Sequence, residues 1–156
     1  MIEVLTTKEF PIKQKRDNSY KYEALIGIGG NIGDVLKRFK KLFYYWQKHP
    51  QLKILQTSPL LKNPAFGEVK QDDFLNAVAL IQTSLSAQHL LKHLLHTEGR
   101  FGRVRTIPKG PRTLDLDMIF YEDKNLSSKH LTLPHPGWKS RTSVLVPLAL
   151  MQQRIK

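Results

Sequence analysis

Residues 112–121 read RTLDLDMIFY, and the alternation in that run decides the fold. Side chains two apart on a strand share a face, so Leu114, Leu116, Met118 and Phe120 turn together toward a core while Asp115 and Asp117 turn away. This strand closes a series that begins far upstream. YEALIGI (22–28) is a first strand, broken by the glycine-rich GIGGNIG (27–33). Val35, Leu36, Phe39, Leu42, Phe43 and Trp46 then recur at helical spacing, with Asp34 or Asn31 as the cap and Pro50 marking the end. QLKILQTS (51–58) is a second strand and FLNAVALIQT (74–83) a third, with a long loop over 59–73 between them. Ser86 caps a second helix whose stripe is Leu90, Leu91, Leu94 and Leu95, stopped by Gly99. Another long loop, 100–111, leads into the fourth strand. The order β-α-β-β-α-β is that of an α+β fold of ferredoxin-like type, an antiparallel sheet with both helices on one face.

Outside this core, a proline-punctuated tail with a short terminal helix follows Tyr121. Residues 1–20 form an N-terminal extension of mixed charge, expected as a solvated tail or an edge strand. The 156 residues suit one domain spanning 1–156. Hydrophobic residues at 40% argue for a folded globule. The absence of cysteine excludes disulfides and thiolate metal sites. No apolar run approaches a membrane span, and MIEVLTTKEF lacks the pattern of a signal peptide, so the expectation is a cytoplasmic protein. A formal net charge of +12 invites an anionic partner: nucleic acid, an anionic membrane or a small phosphorylated ligand. Charge alone does not choose among them.

The chemistry narrows the choice. Asp115 and Asp117 put two carboxylates roughly 6–7 Å apart on one strand face, where they repel unless a cation lies between them. No histidine–cysteine set accompanies them, so oxygen-seeking Mg²⁺ is the natural guest. Arg103, Arg105 and Arg112 bracket the loop that ends just before the aspartates, and guanidinium groups bind phosphates in bidentate fashion. Cations beside a metal-binding carboxylate pair point to a polyphosphate. Glu98 falls on the apolar stripe of its helix and at the C-terminus, where the macrodipole disfavours a negative charge. Its two readings are a functional carboxylate and a last-turn partner for Arg100 or Arg103. Asn76, in the middle of an apolar strand, must find hydrogen-bond partners, either structural or in a ligand. GIGGNIG does not fit G-x-G-x-x-G, because Ile32 occupies the third glycine's position; a tight strand-to-helix turn explains it.

In order, these pieces resemble one family, the hydroxymethyldihydropterin pyrophosphokinases of folate biosynthesis. The resemblance runs over about 22–150 and is most specific at Gly110-Pro111-Arg112-Thr113-Leu114-Asp115-Leu116-Asp117. Gly102-Arg103-Val104-Arg105, Pro134-His135 with Arg141, Phe74-Leu75-Asn76-Ala77 and Gly29-Gly30-Asn31 are similar to further family motifs. The resemblance implies ATP as the donor, a pterin alcohol as the acceptor, two Mg²⁺ as cofactors, and long loops near 30–34, 62–73 and 100–111 that close over substrates. It implies that Asp115 and Asp117 ligate the metals, with Asp117 as a candidate proton acceptor. Arg103, Arg112, His135 and Arg141 would contact the triphosphate, Arg103 and Arg112 nearest the transferring group, with Glu98 near the nucleotide. Asn76 would read the pterin edge in a pocket formed with Asn63, Pro64, Phe66 and Phe74. The expected state is a monomer with no nucleic-acid or membrane partner.

Some positions depart from the family pattern. Asn63 replaces a threonine, Lys109 stands where an aromatic or an arginine is usual and Ser143 where an aromatic is, and Gly30 replaces a serine in what reads as a tolerant turn. The rival class is an RNA-binding module of ferredoxin-like type, which needs aromatic residues on the open sheet face. The fourth strand carries Asp-Leu-Asp there instead.

Overall fold

The computed structural model describes residues 2–64, 72–102 and 113–152. Strand β1 is Glu3–Leu5, β2 Ile12–Lys13, β3 Tyr22–Gly30, β4 Leu52–Thr57, β5 Leu60–Asn63, β6 Phe74–Thr83, β7 Asp115–Tyr121, β8 Leu126–Ser127 and β9 Thr132–Leu133; the helices are α1 Val35–Gln47, α2 Ala87–Arg100 and α3 Thr142–Gln152. The core order β3-α1-β4-β6-α2-β7 is the β-α-β-β-α-β expected from the sequence. β3 and β6 pair antiparallel along their length, from Tyr22↔Thr83 to Gly30↔Leu75. β7 lies on the other side of β3. The far side of β6 is shared by β4 and β5, which pair with β2 and β1 respectively.

Both helices of the core order cover one face. Phe39, Leu42 and Trp46 of α1 and Leu90 and Leu94 of α2 pack with Ile26, Ile28, Ile54, Leu116 and Met118. Asp34 caps α1 by accepting from the Lys37 N–H at 3.1 Å, and Ser86 caps α2 by accepting from the His89 N–H at 3.2 Å. α2 runs past Gly99 to Arg100 and is closed by Gly102, whose φ of +83° supplies the left-handed turn. Leu95 is exposed; the buried stripe is Leu90, Leu94, Thr97 and Glu98.

On the opposite face a smaller cluster of Leu25, Val78, Ile119, Val144 and Met151 lies beneath α3. A bulge decides which β7 residues join it. Leu25 pairs with Phe120 but Ile26 pairs with Met118, so Ile119 is the extra residue. The strict alternation expected for β7 therefore fails after Met118: Phe120 packs on the α3 side against Trp138, and Tyr121 turns into the main core.

One other stretch departs from expectation, while the N-terminal extension takes one of its two expected forms, β1 and β2 being edge strands. The loop expected over 59–73 contains β5, whose Leu60 and Leu61 are both fully buried. The N-terminal extension is built into the fold: Phe10 is 1% exposed and packs against Phe39 and Phe43 with ring centroids 5.9 and 6.2 Å away. Thr57 Oγ1 holds it by donating to the Glu9 carbonyl and accepting from the Ile12 N–H. Burying one phenylalanine contributes about 1.5–3 kcal/mol, so this segment supports the core it covers. No helix among the described residues is long and apolar enough to cross a membrane.

Candidate active site

Register places the polar residues of the α3-side face. Asp115 stands opposite Gly29 and Asp117 opposite Gly27, while Asn76 flanks Gly29 from the other side. With strands 4.7–4.9 Å apart, Asn76 and Asp115 are separated by about 9–10 Å across the sheet. The two glycines between them leave a floor without side chains. The floor is close-fitting: a Cβ on Gly29 would lie 2.8 Å from Asn76 Oδ1. Asn76 therefore has its oxygen toward β3, and its Nδ2 donates to Asn63 Oδ1 on β5 at 2.8 Å. Asn63 is 5% exposed, and its own Nδ2 faces the Pro64 carbonyl at 3.5 Å. Phe74 pairs with Asn63 in register and lies two residues from Asn76, hence on the same face. The partner that a mid-strand asparagine needs is thus Asn63.

Along the outer edge of β7 runs a cleft of about 740 Å³ between α2, β7 and the β8–β9 segment. Glu98, Asp117 and His135 line it, together with Lys92, Lys129 and His130. Glu98 is 3% exposed and its Oε2 accepts from the Leu116 N–H at 2.7 Å. This explains a carboxylate on an apolar stripe: it satisfies a backbone donor on an edge strand, a charge-assisted bond stronger than a neutral one. The His135 Nδ1 accepts from the Gly137 N–H at 3.1 Å, so the neutral ring carries its proton on Nε2. Arg141 Nη1 lies 3.5 Å from Asp117 Oδ2, which joins the cleft to the glycine floor. A cleft of this size suits a nucleotide.

The structure thus brings Asp115, Asp117, Asn63, Phe74, Asn76 and Arg141 to one face, and Glu98 and His135 to the adjoining edge. Pro64 is exposed beside Asn63. Arg103, Arg112 and Phe66 lie outside the described residues, as does Lys109.

Three contacts that sequence reasoning missed hold the turn after β3 and the segments leading into β6 and β7. Arg38 Nη1 donates to the carbonyls of Ile32 at 2.6 Å and Thr113 at 2.9 Å. Asn31 Nδ2 donates to the Asp72 carbonyl at 2.9 Å. Gly30 ends β3 rather than lying in a tolerant turn; a Cβ there would come within 2.7 Å of the Thr113 carbonyl oxygen, so a serine requires that backbone to move. Nothing in the sequence separates Arg38 from the lysines around it on α1.

A family model described as 7,8-dihydro-6-hydroxymethylpterin-pyrophosphokinase matches residues 25–153. A 2-amino-4-hydroxy-6-hydroxymethyldihydropteridine pyrophosphokinase of Campylobacter jejuni is 48% identical over 142 residues, 91% of this chain and 90% of that one. Its Helicobacter pylori counterpart is 40% identical over 154 residues, 97% of this chain and 94% of that one, which takes in most of the N-terminal extension. The folic acid synthesis protein fol1 of Schizosaccharomyces pombe is 36% identical over 139 residues, 85% of this chain and 19% of that longer protein.

Proposed function

The chain belongs to the 7,8-dihydro-6-hydroxymethylpterin-pyrophosphokinase family, and from that premise we propose how its residues carry out the reaction. It is an ATP-dependent diphosphokinase of folate biosynthesis, transferring pyrophosphate from ATP to the hydroxymethyl group of 6-hydroxymethyl-7,8-dihydropterin and releasing AMP. The single observation that carries the residue assignment is the glycine floor, with Asn76 on one side and the two aspartates on the other.

Catalysis is Mg²⁺-dependent, and the donors present fit that ion. Asp115 and Asp117 offer oxygen only, and each faces a glycine whose missing side chain leaves room for a ligand. We assign two Mg²⁺ to this pair: Asp115 and Asp117 would hold them, and the ions would supply positive charge to offset that of the phosphates. The pterin ring lies over Gly29, its edge read by Asn76 and its faces walled by Phe74, Phe66 and Pro64, with Asn63 behind. ATP enters along the β7 edge past Glu98. His135, through its Nε2 proton, and Arg141 bind the triphosphate.

The hydroxymethyl oxygen attacks the β-phosphorus in line. A new O–P bond forms as the bond from the β-phosphorus to the α–β bridging oxygen breaks, and AMP departs with that oxygen. Asp117 takes the hydroxyl proton, while Arg103 and Arg112 offset charge on the equatorial oxygens. The enzyme acts as a monomer. The RNA-binding alternative has no support: Gly27, Gly29, Asp115 and Asp117 occupy the face where such a module needs aromatics.

Asn76→Ala tests the assignment. Pterin binding should weaken by about 10–100-fold, as for a ligand left with unpaired groups, while binding of a non-hydrolysable ATP analogue changes little. Equal loss of both ligands in calorimetry would mean that Asn76 is only structural.

A further inference from the structure

We infer that Asn63 is a positioning residue that locks the direction of the Asn76 amide and thereby makes the pocket selective for a 4-oxo over a 4-amino pteridine ring. The inference rests on the proposed role of Asn76 and deepens it.

A primary amide is nearly symmetric in shape, but its two ends read opposite chemistry, so an asparagine that can turn over reads either of two ring edges. Asn76 cannot turn over freely. Its Nδ2 donates to Asn63 Oδ1 at 2.8 Å toward β5, and its Oδ1 lies on the β3 side above Gly29. Asn63 in turn has its Nδ2 toward the Pro64 carbonyl, at 3.5 Å. Reversing both amides would set Asn63 Oδ1 against that carbonyl oxygen, two acceptors facing each other. At 5% exposure, Asn63 has little water to relieve the opposition. The Pro64 carbonyl therefore sets Asn63, and Asn63 sets Asn76.

The Nδ2 hydrogen that Asn76 gives to Asn63 points away from its own oxygen, across the sheet. What remains for a ligand is the oxygen on the β3 side and the second Nδ2 hydrogen beside it. That acceptor–donor pair complements a lactam, an N–H next to a C=O, as in a 2-amino-4-oxo pteridine. A 2,4-diamino ring presents a bare ring nitrogen next to an amino group, the reverse pattern, and the locked amide opposes it at both atoms. This chain has an asparagine where the resemblance to the family leads one to expect threonine, so the relay uses both ends of a second amide.

The probes are 6-hydroxymethylpterin and 2,4-diamino-6-hydroxymethylpteridine, which differ only at this edge. Their dissociation constants are measured in Mg²⁺ with a non-hydrolysable ATP analogue. The wild type should favour the 4-oxo ring by about 100-fold, the loss expected when two polar contacts are opposed. Asn63→Leu, similar in size but with no acceptor, should narrow that preference to within about 5-fold by letting Asn76 turn. Asn63→Asp keeps the acceptor and should keep the preference. Thermal melts of each variant show whether it is folded, and the preference is a ratio that a general loosening of the pocket leaves in place. An unchanged preference in Asn63→Leu, or its equal collapse in Asn63→Asp, overturns the inference and leaves the Asn76 assignment standing. If Asn76→Ala binds 6-hydroxymethylpterin as tightly as the wild type, both fail together.

Discussion

Replacing Gly29 by alanine separates the demands of the fold from those of the site. The backbone at Gly29 is ordinary strand, and exchanging glycine for alanine within a strand is by itself worth about 0.5–1 kcal/mol of added stability. The added Cβ, however, would lie 2.8 Å from Asn76 Oδ1, closer than real Cβ contacts, with the Leu75 carbonyl oxygen at 3.8 Å. The side-chain amide yields before the backbone, so Asn76 swings away from the floor and from its bond to Asn63. Losing one or two hydrogen bonds to the ring, at about 1–1.4 kcal/mol each, predicts a pterin dissociation constant raised about 5–100-fold. Binding of a non-hydrolysable ATP analogue should stay within about twofold, since the nucleotide cleft lies beyond β7. The melting temperature should stay close to wild type, because the gain from alanine is offset by the lost Asn76–Asn63 bond, while pterin affinity falls. Calorimetry with each ligand and a thermal melt decide the matter. Unchanged pterin affinity, or equal loss of both ligands, would refute the reading of the glycine floor.

Asp115→Ala and Asp117→Ala should each lower turnover by about 10²–10⁴-fold at saturating Mg²⁺, yet leave the melting temperature close to wild type because both side chains are half-exposed; near-normal turnover in either would remove the metal assignment. Phe10→Ala should cost about 3–5 kcal/mol in urea unfolding, as for any fully buried phenylalanine, and a loss below about 1 kcal/mol would mean that the extension is dispensable to the core. His93 packs against the His49 ring at 4.6 Å, and burial, with the His49 and His96 charges, lowers its pKa from 6.5 to about 4. The unfolded chain then binds more protons than the folded one as pH falls from about 6.5 to about 4, so His93 contributes stability above that window and loses it through it. Melts across this range should show a shallower decline in His93→Phe than in the wild type; parallel profiles would exclude His93 as the source.

What could be read from the sequence was local. Ser86 declares its cap, and Asp34 stands as one of two candidates for the other, because the bond that defines a cap closes within three residues. Asp115 and Asp117 share a face by the geometry of one strand. What could not be read depends on pairing between distant segments. The bulge that turns Phe120 over exists only against β3. The four-residue β5 carries too little pattern to stand out between two prolines, and Phe10 announces nothing until Phe39 and Phe43 are beside it. Glu98 was legible as a rule broken, but its acceptor role awaited the Leu116 N–H, 18 positions away. The Asn63–Asn76 bond and the approach of Gly30 to Thr113 likewise arise from neighbouring strands.

The most direct measurement of the central claim is the nucleotide product of a single purified enzyme incubated with Mg²⁺-ATP, with and without 6-hydroxymethyl-7,8-dihydropterin. AMP and pterin diphosphate should form in equal amounts, with no ADP and no nucleotide turnover when the pterin alcohol is omitted. ADP as the product, or AMP release that does not depend on the pterin, would contradict that claim.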